Sequence, residues 1–173
     1  MKENVLNLKK ILTTLKKHNV RFVLIGGQAG VAQGSAYMTR DVDICYARDK
    51  ENLENLIKTL TPFHPYLREV EKNLQFIFDA KTLQMGLNFT LSTDIGDIDL
   101  FGELKGIGYY DEALKYSEIM EIYGIQCNVL TVEGLIKSKR ACGRQKDEPV
   151  IKELEAILEI RTQRENNKGD KDI

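Results

Sequence analysis

Phe22-Val23-Leu24-Ile25-Gly26-Gly27, thirteen intervening residues, and then Asp41-Val42-Asp43-Ile44 form the stretch that decides the fold. The first four residues are an apolar, strand-like run that stops at two glycines. Side chains alternate faces along a strand, so Asp41 and Asp43 point one way while Val42 and Ile44 point the other. Two carboxylates sharing a face repel each other and call for a cation. Two glycines after a strand let backbone N–H groups approach an anion closely. Taken singly, an Asp-x-Asp is usually a solvated strand edge and a Gly-Gly pair usually a turn. In this order and spacing they point to a phosphate cradle beside a divalent-metal site.

A second alternation, Asp97-Ile98-Asp99-Leu100-Phe101, repeats the pattern of acids on one face and apolar groups on the other. Seen alone it would be a polar sheet face near solvent. A two-metal phosphoryl-transfer site needs about three carboxylates to hold cations at the attacking and leaving oxygens. Asp41 and Asp43 supply two. Asp99 is the first choice for the third and Asp97, on the same face, the second. Asp94 stands in the turn before Gly96 and is the weakest candidate.

The chain has 173 residues, the usual size of one domain, with 42% hydrophobic residues, enough for one core. A net charge of −1 and a pI near 6.2 exclude a global basic field that would attract nucleic acid, and leave room for a local one. No apolar run is long enough to span a bilayer, and the lysine-bearing N-terminus has no continuous apolar h-region, so the expectation is a cytoplasmic protein with no membrane partner. Cys45, Cys127 and Cys142 are odd in number and widely spaced, which fits a reducing compartment. Cys45 reads as a small core residue. His18 and His64 have no partners at ligand spacing and read as structural.

The order of elements implies a single α/β (α+β) domain, a mixed sheet with helices packed on it, over residues 1–160, followed by a charged, frayed tail over 161–173. Helical spacing of Val5, Leu8, Ile11, Leu12 and Leu15 predicts a helix over 4–18. Strands are predicted at 21–25, 40–46, 74–78, 87–91 and 96–101, and a hairpin at 117–123 and 125–130. Helices are predicted at 28–34, at 49–60 and, for one or two turns, at 79–85. Gly102, Gly106 and Gly108 make the next segment loop-like. Thr131 is expected to cap a helix ending near Cys142. Asp147 is expected to cap the last helix or to pair with Arg144.

Gly26-Gly27, the thirteen-residue gap, Asp41-Val42-Asp43 and Asp99 together resemble the nucleotidyltransferase superfamily with the polymerase beta-like fold. More narrowly, Thr39–Asp43, Thr93–Leu100 and Lys139–Asp147 resemble the small bacterial and archaeal nucleotidyltransferases of the AbiEii and DUF6036 kind. The resemblance covers about residues 5–160. It implies that Gly26 and Gly27 hold the phosphates of a nucleoside triphosphate and that Asp41 and Asp43 bind Mg²⁺. Asp99, with Asp97 as its alternate, would bind metal and orient or deprotonate the attacking hydroxyl. Two Mg²⁺ ions are the expected cofactors, since all-carboxylate sites completed by phosphates and water suit magnesium. The resemblance implies transfer of a nucleoside monophosphate to a hydroxyl of a tRNA or other RNA or of a protein, in a toxin–antitoxin setting with a cognate partner. An antibiotic nucleotidyltransferase of the aminoglycoside or lincosamide type, and a catalytically silent nucleotide-binding module, are the alternatives.

Charge adds a further expectation. Lys137, Lys139, Arg140, Arg144 and Lys146 make one segment locally basic in a chain with no overall excess. Lys139 and Arg144 are placed to neutralise a triphosphate as charge moves to pyrophosphate; otherwise the segment is a solvated basic face. Arg40 either projects away from the acids or, at the strand start, pairs with them.

Overall fold

The computed structural model describes residues 2–68, 70 and 76–169. A seven-stranded mixed sheet carries the fold, in the order β3-β4-β5-β2-β1-β9-β8. Its centre is built from β1 (Phe22–Ile25), β2 (Val42–Tyr46) and β5 (Gly96–Phe101). β1 runs antiparallel to β2 and β2 parallel to β5. β3 (Tyr66–Leu67) and β4 (Asn88–Thr93) extend one side, and the hairpin β8 (Ser117–Ile122) and β9 (Ile125–Leu130) the other. All four residues of β1 are buried, as befits a central strand covered on both faces.

Helix α1 (Lys2–Lys17) buries Leu8, Ile11, Leu12 and Leu15, the spacing that puts four side chains on one helical face. α2 (Gly26–Ala32) follows β1 directly, and α3 (Lys50–Leu60) is capped by Asp49, whose carboxylate accepts from the Asn52 amide. α4 (Ala80–Met85) is capped in the same way by Asp79. At the hairpin tip Tyr123 and Gly124 both have positive φ, the geometry that matches strand twist in a two-residue turn. α6 (Val132–Cys142) begins at Thr131, whose hydroxyl accepts from the Gly134 amide 3.2 Å away, and ends at left-handed Gly143. Thr131→Ala is expected to cost about 1 kcal/mol, the usual worth of such a cap, read as a lower midpoint in urea denaturation at unchanged slope.

Four segments depart from the sequence expectations. Of the strand foreseen at 74–78, residues 76–78 are irregular, and Leu74 and Gln75 lie outside the described residues. The strand of that region is instead β3, which starts just after Pro65 and pairs with the edge of β4. The glycine-rich stretch folds into a two-stranded ribbon, β6 (Glu103–Leu104) with β7 (Gly108–Tyr109), and leads into α5 (Tyr110–Lys115), a short helix that the surrounding glycines and tyrosines masked. α2 starts on Gly26 itself, two residues before the expected start. The last helix, α7, runs from Glu148 to Gly169, and Arg161 is tied by a 2.9 Å hydrogen bond to the Gln33 carbonyl.

Candidate active site

Register places the acids. Asp43 sits opposite Ile25 across β1–β2 and opposite Asp99 across β2–β5. Val42 and Ile44, like Ile98 and Leu100, are buried, so Asp43 and Asp99 share the other face of the sheet. Asp97 lies one step along β5 on that face and accepts from the Ser92 hydroxyl at 2.6 Å. Asp41 stands just ahead of β2. Asp41, Asp43, Asp97 and Asp99 are therefore brought together on one face.

Because Ile25 pairs with Asp43, the chain emerging from β1 passes directly over that carboxylate. Gly26 has φ +64°, and a Cβ there would overlap the Asp43 side chain. A Cβ on Gly27 would meet Thr39 at 2.6 Å. Both glycines thus allow a close approach of backbone to side chain, the first also a left-handed turn.

These acids do not titrate normally. Burial, then the charges of Asp99 and Asp41, push the Asp43 carboxyl up to about 6; the Gly27 amide and Lys139 oppose this only in part. Asp99 is also raised, by burial first and by the Asp41 and Asp97 charges, with Arg68 pulling the other way. Carboxylates raised by one another's charge form a site short of positive charge.

Arg68 supplies part of what is missing, and nothing in the sequence pattern pointed to it. Its Nη1 lies 2.9 Å from Asp97 and 3.2 Å from Asp41, and its Nη2 pairs with Asp99. One guanidinium cannot balance four carboxylates. Among the described residues, no three acidic, histidine or cysteine side chains close on one point as a finished metal cage. The donor chemistry nonetheless fits a divalent cation: the oxygens are all carboxylate, Asp43 and Asp99 are adjacent in register, and the group is under-neutralised. Arg40 forms no ion pair with these acids among the described residues; Arg68 has that place.

Asp41, Asp43 and Asp99 floor one end of a cleft of about 600 Å³, within the usual range for a small-molecule site, while Asp97 is not among its lining residues. Gly26, Gly27 and Gly30 line one wall, Tyr37, Met38 and Thr39 the lip. α6 contributes Leu135, Ser138, Lys139 and Cys142, the i, i+3, i+4, i+7 spacing of one helical face. Arg144, Lys146 and Asp147 complete the basic end. Neither His18 nor His64 lines the cleft. His18 bonds Thr59 at 3.0 Å and His64 bonds Asp94 at 2.6 Å, so Asp94 is engaged elsewhere.

Lys139 and Arg144 both reach the cleft, but each is already paired. Lys139 Nζ is 3.0 Å from one oxygen of Asp147 and Arg144 Nε 2.7 Å from the other. Asp147 is buried, which alone would raise its carboxyl; the two cationic hydrogen bonds outweigh this and hold it below its usual range. It precedes α7 in a single 3₁₀ turn and serves as the hub of this cluster. Asp147→Asn is expected to lower stability by about 2 kcal/mol, since hydrogen bonds to charged groups carry about that much. Because the folded carboxyl titrates below the unfolded value of 3.8, the wild-type advantage should be full at pH 7 and vanish as pH falls below 3.8. Thermal melts of both proteins across that range measure it.

Residues 4–171 match the family described as nucleotidyl transferase of unknown function (DUF2204). The chain belongs to this family. The superfamily expected from Gly26-Gly27 and Asp41-Val42-Asp43 is the one found, and the mixed α/β sheet is its fold. No curated protein matches the sequence. Among solved structures, this nucleotidyltransferase is similar to a candidate nucleotidyltransferase from Thermotoga maritima, with TM-score 0.52, 20% identity, and coverage of 84% of this chain and 88% of that one. It is also similar to an antigenic nucleotidyltransferase-like protein from Paracoccidioides brasiliensis, with TM-score 0.55, 16% identity, and coverage of 91% and 75%. These likenesses concern the fold.

Proposed function

We propose that this nucleotidyltransferase moves a nucleoside monophosphate from a nucleoside triphosphate to a hydroxyl, with Mg²⁺ as cofactor, and that the acceptor is an RNA or a protein. The observation that carries the reading is the set of four aspartates on one sheet face, set against a glycine turn in a cleft with a basic far end. Asp41, Asp43 and Asp99, with Asp97 as the alternate, would hold the divalent ions. Bound there, the metal would offset the charge of the phosphates and polarise the phosphorus–oxygen bond.

The remaining work falls to the chain itself. Gly26 and Gly27 line the cleft and would offer backbone N–H groups to a phosphate, the Gly27 amide being shared with Asp43, to which it already donates. Asp99 is raised by burial and its neighbours. A carboxylate so tuned accepts a proton from an acceptor hydroxyl more readily than an ordinary one. Lys139 and Arg144 face the same cleft and would stabilise the charge that accumulates on pyrophosphate as it leaves. Asp147 keeps both cations oriented before nucleotide arrives.

The charge of the cleft favours one acceptor class. A polycationic antibiotic needs carboxylates to spare, as its amines must be met by acids on desolvation. Here Asp147 is occupied by Lys139 and Arg144, and the other acids form the metal-holding set. The outer rim instead offers Lys146, half-exposed Tyr37 and exposed Met38, which suit a phosphate backbone with a base to stack, or a peptide. A toxin–antitoxin role with a cognate partner accords with this acceptor class. The test is incubation with each of the four α-³²P-labelled nucleoside triphosphates and Mg²⁺, offering tRNA, cell protein and aminoglycosides in parallel. Label on RNA or protein is expected. Label on aminoglycoside alone would replace this acceptor with the antibiotic one; nucleotide binding with no transfer to any acceptor would favour a silent binding module.

A further inference from the structure

Arg68 has no part in the transfer chemistry just described, yet it occupies the centre of the acid cluster. It follows β3 at the edge of the sheet, and its backbone N–H donates to the Thr90 carbonyl at 2.9 Å, which anchors it beside β4. From there the side chain reaches across to β5 and to the start of β2. Its two terminal nitrogens engage Asp97, Asp41 and Asp99, three acids from two chain segments. The arginine is only 20% exposed and Asp99 14%, so this is not a loose surface pair.

The contacts have a direct consequence for a divalent ion. A carboxylate oxygen that accepts a short guanidinium hydrogen bond directs its lone pairs at the arginine, and cannot direct the same ones at a metal. Arg68 and a divalent cation also neutralise the same charge, so each weakens the case for the other. A guanidinium always carries its charge and cannot withdraw by losing a proton; it can withdraw only by moving.

We propose that Arg68 is a built-in cation that competes with the divalent metal: in the free chain it holds Asp41 and Asp99, and it must release them before the metal binds. This rests on the metal-site assignment above. A triphosphate brings the anionic oxygens that a released guanidinium needs, so metal and nucleotide bind cooperatively and metal alone binds weakly. By linkage, the nucleotide strengthens metal binding by the same factor as the metal strengthens nucleotide binding. Arg68 therefore keeps the acid cluster from collecting stray divalent ions when no nucleotide is present.

Mn²⁺ alone is the probe, titrated by electron paramagnetic resonance into wild type, Arg68→Gln and Arg68→Lys, with and without a non-hydrolysable triphosphate analogue. Circular dichroism checks that each variant is folded. Arg68→Gln is expected to bind Mn²⁺ at least tenfold more tightly than wild type without nucleotide. Arg68→Lys, whose single ammonium cannot span three acids, should fall between. The gain should disappear when Asp43→Asn is added, which places the ion in this cluster. Should Arg68→Gln fail to fold, Arg68→Lys decides by the same sign. Unchanged or weaker Mn²⁺ binding in the variants, with the wild-type nucleotide complex still binding the ion, overturns the competition and leaves the metal site standing. No Mn²⁺ binding in any form, nucleotide present, removes the metal site and the competition with it.

Discussion

Asp43→Asn is expected to lower nucleotidyl transfer by about a thousandfold and at the same time to raise the melting temperature of the metal-free protein. The two effects share one cause. Asp43 is the most perturbed acid of the cluster, pushed up to about 6 by burial and by Asp99 and Asp41. An amide of the same shape removes the charge that the fold must tolerate. The shift from 3.8 to about 6 corresponds to about 3 kcal/mol at neutral pH, an upper limit for the stability regained. The same substitution removes a carboxylate assigned to the divalent ion. Electrostatic stabilisation by such an ion is worth several kcal/mol, and about 4 kcal/mol is a thousandfold in rate.

The pH dependence of that stability gain has a definite sign. The folded carboxyl titrates above its unfolded value, so its ionisation opposes folding. The penalty is complete above about pH 6, shrinks as pH falls through 6, and is gone below 3.8. The melting-temperature gap between Asp43→Asn and wild type should accordingly be widest at pH 7 and above, and close between pH 6 and 4. A gap that widens on acidification would mean that Asp43 is stabilised, not strained, by its surroundings.

Gly26→Ala should be the most damaging small substitution in the chain. At φ +64° a Cβ carries backbone strain of about 1–2 kcal/mol. The added methyl would also overlap the Asp43 carboxylate, and packing conflicts cost about 1–3 kcal/mol more. Together that is about 3 kcal/mol, a fall of roughly 6–12 °C in Tm for a protein of this size. Relief can come only by displacing the β1–α2 turn or Asp43, so residual folded protein should have lost transfer as well. Differential scanning calorimetry and a transfer assay on the same sample separate the two losses. Gly34→Ala is the control: it too has positive φ, 105°, but a Cβ there meets nothing within 4 Å, so it should lose stability by backbone strain alone and keep its transfer rate.

The positions that were legible in the sequence are those whose geometry is set by local spacing. The alternation in Asp41-Val42-Asp43 and in Asp97-Ile98-Asp99 fixes which residues share a face, and the parallel pairing of β2 with β5 then puts Asp43 beside Asp99. Thr131 and the Tyr123-Gly124 turn acted through capping and turn chemistry within a few residues. Asp147 is different: its pairing with Arg144 is local, but its second partner, Lys139, lies eight residues back in the last turn of α6 and is reached by the reversal of the chain at Gly143.

Arg68 was illegible because its role is wholly tertiary. It stands 27 residues from Asp41 and 31 from Asp99, in a segment with neither helical nor strand periodicity. Only the two-residue pairing of β3 with β4 brings it to the acids. The miss at α5 has another origin. Glycines before it and tyrosines at its start are poor helix formers, and packing of Ala113 into the core overrides that preference. α2 likewise begins on two glycines because Asp43 leaves no room for a side chain at Gly26 and Thr39 none at Gly27.

The account depends on the aspartate face and the glycine turn holding a nucleotide through a divalent ion. Melting temperature decides this most directly, measured with each nucleoside triphosphate, with and without Mg²⁺, for wild type and the Asp41→Asn, Asp43→Asn double variant. At a hundred times the dissociation constant, a ligand adds about 2.7 kcal/mol, or roughly 5–10 °C here. The expected result is a rise of that size in wild type that needs both nucleotide and Mg²⁺ and is absent from the double variant. An equal rise in the double variant, or one that ignores Mg²⁺, would contradict the account.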